Sequence, residues 1–178
     1  MRAAAADLVE LIEPTLAHAP SLVAMVSEYR SVGERRYHDL QSLSPTQAAQ
    51  YVATLSARAR TFDPKPTHVQ QLTYWLMRGE TIIGSSRLTP TLTPALYVWG
   101  GNISYDIRPS ERRKGYGTQL LALTMDRARG QGLPALRLMC YQDNAASNKI
   151  IRRNGGELVY AGPCALAGGE IFTYEIEL

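Results

Sequence analysis

Hydrophobic and polar residues follow two different periods in the first third of the chain, and these periods predict its first elements. A short apolar run at 8–12 ends before a proline and predicts a strand. Apolar side chains recur at helical spacing through 19–32, which predicts a helix that stops before a glycine. A second helix is predicted to begin at the capping box of 44–47, and the prolines of 63–66 end it.

The middle of the chain is rich in β-branched and aromatic residues, which predict strands. Residues 68–77 and 81–88 flank a turn at 78–80 and are predicted to form a hairpin. The segment 89–101 holds two prolines and two glycines and is predicted to be a loop. Residues 102–107 alternate between apolar and polar and predict a further strand.

The last third alternates helical and extended patterns, without an internal repeat or a linker. Its predicted elements are a helix at 118–130, a buried strand at 135–141, a helix from 143 to 154 with Gly155 as its C-terminal cap, and strands at 157–160 and 171–178. The whole pattern predicts one mixed α/β domain over 1–178.

Composition narrows the class of protein. The chain has 178 residues, 45% hydrophobic and 20% charged, which suits one soluble domain and excludes a disordered, collagen-like or coiled-coil chain. No apolar run approaches the ~20 residues of a membrane span, and charges at Asp7 and Glu10 come too early for a signal peptide. The two cysteines, Cys140 and Cys164, lack metal-ligand spacing. We therefore expect no disulfide framework, no metal and a cytoplasmic protein.

The net charge of +3 is unevenly distributed along the chain. Residues 108–153 carry ten Lys and Arg against three acids, a net of +7, and the rest of the chain carries −4. Such a segment predicts a local anionic ligand, although a solvated basic face gives the same count. Base-stacking aromatics are not interleaved with these charges, so a nucleic-acid partner is not expected.

A basic, glycine-containing turn joins the strand at 102–107 to the helix at 118–130. Glycines at a strand-to-helix turn allow backbone N–H groups to converge on an anion, and the helix N-terminus adds a partial positive charge. The string is not a P-loop, and Leu120 stands where a dinucleotide fingerprint needs its third glycine. The turn therefore predicts a phosphate cradle of another kind.

Three motifs, in their order along the chain, resemble those of the GNAT superfamily of acyl-CoA-dependent N-acetyltransferases, and in particular of a bacterial branch of it. The motifs are the hairpin segment 73–76, the segment 107–117 with Arg112-x-x-Gly115-x-Gly117, and the segment 143–156 with Asn144 near its start. The resemblance covers most of the chain. It implies an α+β domain with a mixed, twisted sheet of about six to seven strands, splayed into a V and flanked by about four helices.

The resemblance also implies which residues bind acetyl-CoA, the expected co-substrate, in the opening of the V. The pyrophosphate is expected on the backbone N–H groups of the turn, formed by Arg112, Arg113, Lys114, Gly115, Tyr116, Gly117 and Thr118. The backbone near Ile107 is expected to pair with the pantetheine arm, and Asn144 and Ser147 to contact it. Helix capping by Asn144 and a solvent-facing Ser147 hydroxyl are equally open. On this hypothesis Gly117→Trp abolishes acetyl-CoA binding and leaves the fold native.

The chain departs from the family pattern where relatives carry catalytic groups. Ile151 stands at the position of a general-acid Tyr, and Gly101 and Asn102 stand where some relatives carry a Glu base. Tyr105 and Tyr141 lie near the expected cleft and could donate a proton, although packing is the commoner role of such residues. Other candidates with commoner structural roles are the loop residues Glu34, His38 and Asp39 and a buried thiol at Cys140. No catalytic residue is assigned.

The predicted function is acetyl transfer from acetyl-CoA to a primary amine of a small molecule or peptide, by direct attack in a ternary complex. The departures at 101, 102 and 151 leave a non-catalytic acyl-CoA sensor or interaction module as the alternative. Neither a membrane nor a metal is expected to take part, and a homodimer is compatible with the expected fold. The sequence carries no motif that identifies the acceptor amine.

Overall fold

The computed structural model describes residues 8–40, 44–60 and 69–178, and within these ranges it contains seven strands and five α-helices. In chain order they are β1 (Glu10–Ile12), α1 (Ala19–Ser31), α2 (Pro45–Arg60), β2 (Leu72–Arg78), β3 (Thr81–Leu88), α3 (Pro94–Val98), β4 (Ile103–Ile107), α4 (Tyr116–Gly130), β5 (Ala135–Tyr141), α5 (Ala145–Arg153), β6 (Glu157–Cys164) and β7 (Gly169–Glu177). None of the described helices has the length and apolarity needed to cross a membrane.

The strands form two antiparallel sheets, with the orders β1-β2-β3-β4 and β5-β7-β6. The edge strands β4 and β5 face each other, and an isolated antiparallel bridge between Gly101 and Leu138 links the two sheets just before β4 begins. The expected α+β class and strand number are confirmed.

The first sheet packs helices on both faces because successive side chains of a strand point to opposite faces. On one face, Leu76, Leu88 and Ile103 pack with α4 in a core that continues into the second sheet. On the other face, Trp75 and Met77 pack under α1 and α2 in a second core. Residues of β4 therefore face α4 at Ile103, Tyr105 and Ile107, and the α1/α2 side at Ser104 and Asp106.

The two sheets are joined at one end by Asn102. Its N–H donates to the Arg137 carbonyl at 2.7 Å, and its side-chain oxygen accepts from the Arg137 N–H at 2.8 Å. Its amide nitrogen donates to the Thr89 carbonyl at 2.9 Å. Neighbouring Gly101 has φ +75°, and a Cβ there would overlap the Arg137 carbonyl oxygen. Only glycine permits this approach of the two backbones.

Most element predictions are confirmed, with three corrections. The capping box is present, since the Ser44 N–H donates to the Gln47 side chain at 2.8 Å. The predicted loop 89–101 contains the short helix α3, which Thr93 caps. Helix α4 begins two residues earlier than predicted, at Tyr116. Strand β6 continues to Cys164 through Gly162 and Pro163, because it is an edge strand and its outer side needs no N–H. The predicted helix end at 63–66 and residue 68 lie outside the described residues.

Gly101→Ala tests the close approach of the sheets, with Gly132→Ala as its matched control. Both glycines have nearly the same positive φ, +75° and +76°, but nothing lies within 4 Å of a Cβ at Gly132. We expect Gly132→Ala to lower the free energy of unfolding by about 1–2 kcal/mol from backbone strain alone. Gly101→Ala should lower the free energy of unfolding by at least about 2 kcal/mol more, because its Cβ would overlap the Arg137 carbonyl oxygen. Urea denaturation measures both, and equal losses would contradict the close approach.

Candidate cofactor and acceptor site

The turn before α4 forms a concave row of backbone N–H groups. Arg113 and Gly115 both have left-handed backbone conformations, with φ +61° and +88°, so successive amides turn towards a common point. Gly115 is the N-cap residue of α4 and contributes no side-chain cap. Within the described part of the chain, the N–H groups of residues 113–117 have no hydrogen-bond acceptor. Such a turn at a helix N-terminus is suited to bind an anion.

Gly117 serves the packing of α4 against α5. A Cβ at this position would lie 2.6 Å from Cδ1 of Ile150, and Gly117 is buried. The expectation that Gly117→Trp leaves the fold native is therefore wrong, because a bulky side chain would separate the two helices. Gly115 is the better probe of the turn, since nothing lies within 4 Å of its Cβ position.

Two of the three basic side chains in the turn are neutralised by carboxylates. The Arg112 guanidinium donates to Glu34, with one contact of 2.8 Å, and to the Ile107 carbonyl at 3.0 Å. The hydrogen bond and charge of Arg112 hold the pKa of Glu34 below its ordinary value. Lys114 donates to Glu111 at 3.0 Å. Because Arg112 and Lys114 are paired, the anion site relies mainly on backbone N–H groups. Of the three basic side chains only Arg113, which makes no ion pair within the described residues, is left to add charge.

The Glu111 carboxylate stabilises the turn through hydrogen bonds from Arg78 and Lys114. Its buried carboxylate accepts from both terminal nitrogens of Arg78, at 2.9 and 3.1 Å, as well as from Lys114. Arg78 also donates to the Tyr116 hydroxyl at 3.0 Å, which ties the first residue of α4 to β2. Burial raises the pKa of the Glu111 carboxyl, but the hydrogen bonds from Arg78 and Lys114 outweigh burial, so its pKa lies below the ordinary value.

The edge of β4 beside the gap keeps free backbone groups. The bonds from Thr89 N–H to the Asn102 carbonyl and from Arg108 N–H to the Ile83 carbonyl fix which β4 residues bond to β3. The N–H and carbonyl of Tyr105 consequently point towards β5, where no described residue bonds to them. The Ile107 carbonyl already accepts from Tyr29 at 2.9 Å and from Arg112. By the same register Ile103 also faces away from β3, but it lies next to the junction at Asn102, so Tyr105 is the residue whose free backbone N–H and carbonyl border the open part of the gap.

On the opposite side of the gap, the first turn of α5 contributes polar side chains. Asn144 caps this helix, with its oxygen 3.1 Å from the Ser147 N–H, which is the structural role considered for it above. The Ser147 hydroxyl lies 2.9 Å from the Tyr105 hydroxyl, so Ser147 does not simply face solvent. Burial raises the pKa of Tyr105 to about 12, and the hydrogen bond with Ser147 opposes this rise. Tyr105 therefore stays protonated near neutral pH.

The positions where relatives carry catalytic groups are structural in this chain. Ile151 is buried, Asn102 joins the sheets, and Gly101 has no room for a side chain. Tyr141 is exposed and donates to the Ala167 carbonyl at 2.9 Å. The Cys140 thiol is buried against Asn148 at 3.1 Å, and burial raises its pKa, which makes it a poor nucleophile.

The sequence did not predict a buried polar cluster around Asp106. Asp106 accepts from the hydroxyls of Tyr29 at 2.8 Å and Tyr37 at 3.0 Å, and it pairs with Arg36 at 2.8 Å. Burial and the charge of Asp106 raise the pKa of Tyr29, as they do that of Tyr37. These contacts span 69 or more residues of sequence, and the only local signal was an acid at a polar position of an alternating strand.

The segment after α1 borders a cavity of about 160 Å³. Its lining residues are Val26, Arg30, Gly33, Glu34, Arg35, Arg36 and Tyr37. Of the loop trio considered above, Glu34 binds Arg112, and the side chain of His38 lies outside the described residues. Within the described ranges, no group of three or more His, Cys, Asp or Glu is arranged to hold a metal. Guanidinium groups dominate this side of the molecule.

Glu111→Gln tests whether the bracing carboxylate stabilises the turn. A carboxyl whose folded pKa is depressed contributes stability above its unfolded pKa of about 4.3 and loses it as the pH falls. We expect the variant to be about 1–2 kcal/mol less stable at pH 7, and the difference to shrink below about pH 4. Thermal unfolding at several pH values measures this. Glu177→Gln, at an exposed carboxylate, is the control, and a pH-independent difference would contradict the role.

Many solved structures share this fold, among them the following three. RimL, a ribosomal L7/L12 alpha-N-protein acetyltransferase in complex with coenzyme A, is 18% identical with a TM-score of 0.68, over 98% of this chain and 97% of that chain. Mycobacterium smegmatis RimJ in complex with CoA-disulfide is 15% identical with a TM-score of 0.69, over 97% and 83%. The microcin C7 self immunity acetyltransferase MccE in complex with acetyl-CoA and AMP is 14% identical with a TM-score of 0.67, over 98% and 94%.

A comparison with curated proteins gave no match. The family model described as an acetyltransferase (GNAT) domain, however, matches residues 9–157, which is most of the chain. The gap between β4 and β5 corresponds to the opening of the V that the resemblance implies. The chain belongs to the GNAT acetyltransferase family.

Proposed function

We propose that the protein transfers an acetyl group from acetyl-CoA to a primary amine. The observation that carries this proposal is the run of unpartnered N–H groups at 113–117, which offers a pyrophosphate a preformed cradle at the start of α4. Membership of an acetyltransferase family supports the reaction. The related folds were solved with coenzyme A or acetyl-CoA, which supports the co-substrate.

The pantetheine arm of the co-substrate is proposed to lie in the gap between β4 and β5. The free N–H and carbonyl of Tyr105 would pair with its amides, as an added strand would. The carbonyl of Ile107, the residue expected from sequence, is already bonded to Tyr29 and Arg112, so we retain only its N–H for this role. Asn144 is engaged in capping α5, and its contribution would come through the position it gives to Ser147.

The hydroxyl pair of Tyr105 and Ser147 is our candidate proton donor for the departing thiolate. It takes the place of the Tyr that relatives carry at position 151. Both hydroxyls border the gap, they lie 2.9 Å apart, and Tyr105 stays protonated over the physiological pH range. An acid positioned in this way contributes about a hundredfold or more to rate. Holding the two substrates together in one cleft would supply much of the remaining acceleration.

The acceptor side is proposed to be the α1/α2 face of the first sheet. RimL is described as acting on a ribosomal protein and MccE as a self immunity acetyltransferase, so the fold is used for more than one class of acceptor. A peptide or a small molecule with a primary amine is compatible with the cavity beside α1. The expected homodimer stays a prediction, for which the exposed Leu158, Val159 and Tyr160 of edge strand β6 offer a surface.

A non-catalytic acyl-CoA sensor remains the second candidate. It is favoured by the buried Ile151 and by the structural use of Gly101 and Asn102, which leave the family's catalytic positions without an acid or base. Release of free thiol from acetyl-CoA over a panel of amines separates the two candidates. Tight acetyl-CoA binding with no thiol release from any amine would favour the sensor, and absence of binding at sub-millimolar concentration would reject both.

Gly115→Ala tests the phosphate cradle. A side chain at φ +88° strains the turn and misaligns its N–H groups, so we expect the affinity for acetyl-CoA to fall at least about tenfold by calorimetry. Gly132→Ala carries the same strain at the far end of α4 and should leave this affinity unchanged. Equal affinities of the two variants would show that the anion binds elsewhere.

Tyr105→Phe tests the proposed acid. We expect kcat to fall about tenfold to a thousandfold, with the dissociation constant of acetyl-CoA unchanged, because the phenyl ring still packs but donates no proton. Ser147→Ala should cause a loss of similar size, since the two hydroxyls act as a unit. Tyr141→Phe, which removes an exposed hydroxyl on the neighbouring strand, is the control. A kcat within about twofold of wild type in Tyr105→Phe would remove Tyr105 from the mechanism.

A further inference from the structure

A row of three polar side chains crosses the α1/α2 face of the first sheet. Thr73 on β2 is directly opposite Arg87 on β3, and Arg87 is directly opposite Ser104 on β4. Directly opposite side chains of neighbouring strands have Cβ atoms about 4.5–5.5 Å apart, so the three form one continuous row. The row lies on the face that Trp75 and Met77 share with α1 and α2.

Two members of this row lack the partners that their burial calls for. The half-buried Arg87 guanidinium makes no hydrogen bond or ion pair with any residue of the described ranges. Thr73 is 5% exposed, and its Oγ1 is buried without a hydrogen-bond partner there. Unpaired groups of this kind are costly unless a ligand completes them. Ser104 is exposed and forms the open end of the row.

The surrounding charges do not neutralise Arg87. The nearest carboxylate along β4 is Asp106, which is diagonal to Arg87 and already accepts from Tyr29, Tyr37 and Arg36. Arg87 lies close enough to Tyr37 for its charge to oppose the rise in the pKa of that phenol. The cavity beside α1 shares Tyr37 with this region and adds the charge of Arg35, whereas its Arg36 and Glu34 are already paired with Asp106 and Arg112. The local excess charge is therefore positive.

We propose that the row Thr73–Arg87–Ser104 binds an oxyanion group, a carboxylate or a phosphate, of the acceptor amine. This inference rests on the proposed acetyl transfer and names its substrate class. A guanidinium presents parallel N–H donors that match two oxygens of either group, and hydroxyls beside it add further donors. Arg87 and Ser104 form the accessible part of the site, and Thr73 forms its closed end.

The position of the row limits the length of the acceptor. Neighbouring strands are about 4.8 Å apart, so Arg87 lies about two strand spacings, roughly 10 Å, from the gap between β4 and β5. Ser104 immediately precedes Tyr105, whose free backbone borders that gap. The oxyanion and the reacting amine must therefore be separated by only a few bonds. Amino acids, short acidic peptides and amino-alkyl phosphates meet this condition.

Thiol release measured on matched pairs of amines tests the proposal. The pairs are serine with serinamide, for the carboxylate, and phosphoethanolamine with ethanolamine, for the phosphate. In Arg87→Met we expect kcat/KM to fall about tenfold to a hundredfold for the anionic member of at least one pair, mainly through KM, and to change little for the neutral member. Comparing each amine between wild type and variant removes differences in amine basicity.

The controls separate a lost contact from a damaged fold. Arg129→Met removes an exposed arginine of α4 whose ion pair with Asp126 contributes little to stability. This variant should leave kcat/KM unchanged for every amine. Arg87→Lys keeps the charge without the paired donors and should restore part of the loss. If Arg87→Met does not fold, Arg87→Lys alone should still lower kcat/KM for the anionic amine of the pair.

The outcomes distinguish this inference from the proposed function. Thiol release that falls equally for anionic and neutral amines in Arg87→Met would overturn the oxyanion site and leave acetyl transfer intact. If no amine is acetylated, the oxyanion site is tested instead by binding of inorganic phosphate to the protein saturated with coenzyme A. Phosphate binding that is weakened at least about tenfold in Arg87→Met supports the site, and binding that is absent or unchanged overturns it.

Discussion

The attachment of two sheets at one end only is the constraint on which the rest of the structure depends. Asn102 exchanges hydrogen bonds with Arg137 through both its backbone and its side chain, and Gly101 allows the two backbones to meet. Beyond this junction β4 and β5 share no ladder, so the edge of β4 at Tyr105 keeps its hydrogen-bonding groups. Because α4 follows β4 and α5 follows β5, the same opening receives the N-terminal turn of each helix.

The basic segment of the sequence has a different role from the one its charge suggested. Of the bases near the turn, Arg108 binds Glu28, Arg112 binds Glu34, and Lys114 binds Glu111. The first two pairs fasten α1 and the segment after it to the end of β4, and the third stabilises the turn itself. The surplus of +7 in 108–153 is therefore used in part to hold the acceptor side against the cofactor side. The anion site depends chiefly on backbone geometry.

The sequence was sufficient for features that arise from local rules. The capping box at Ser44, the glycine turn before α4 and the α+β class follow from short-range spacing, and each is present. Features that need strand register or distant contacts could not be predicted. Glu34 and Arg112 are 78 residues apart, and the row of Arg87 exists only because of its pairing partners. Asn144 looked equally suited to capping and to binding, and only its geometry assigns the cap.

The alternation of side chains along β4 divides the chemistry between two faces. Tyr105 faces α5 and the candidate proton donor pair, whereas Ser104 and Asp106 face α1 and the candidate acceptor site. A closed sheet would keep an amine on one face away from a thioester handled on the other. The gap between β4 and β5 removes this barrier, since a group lying in it is accessible from both faces. Separate binding surfaces and a single reaction point are therefore both consequences of the junction at Asn102.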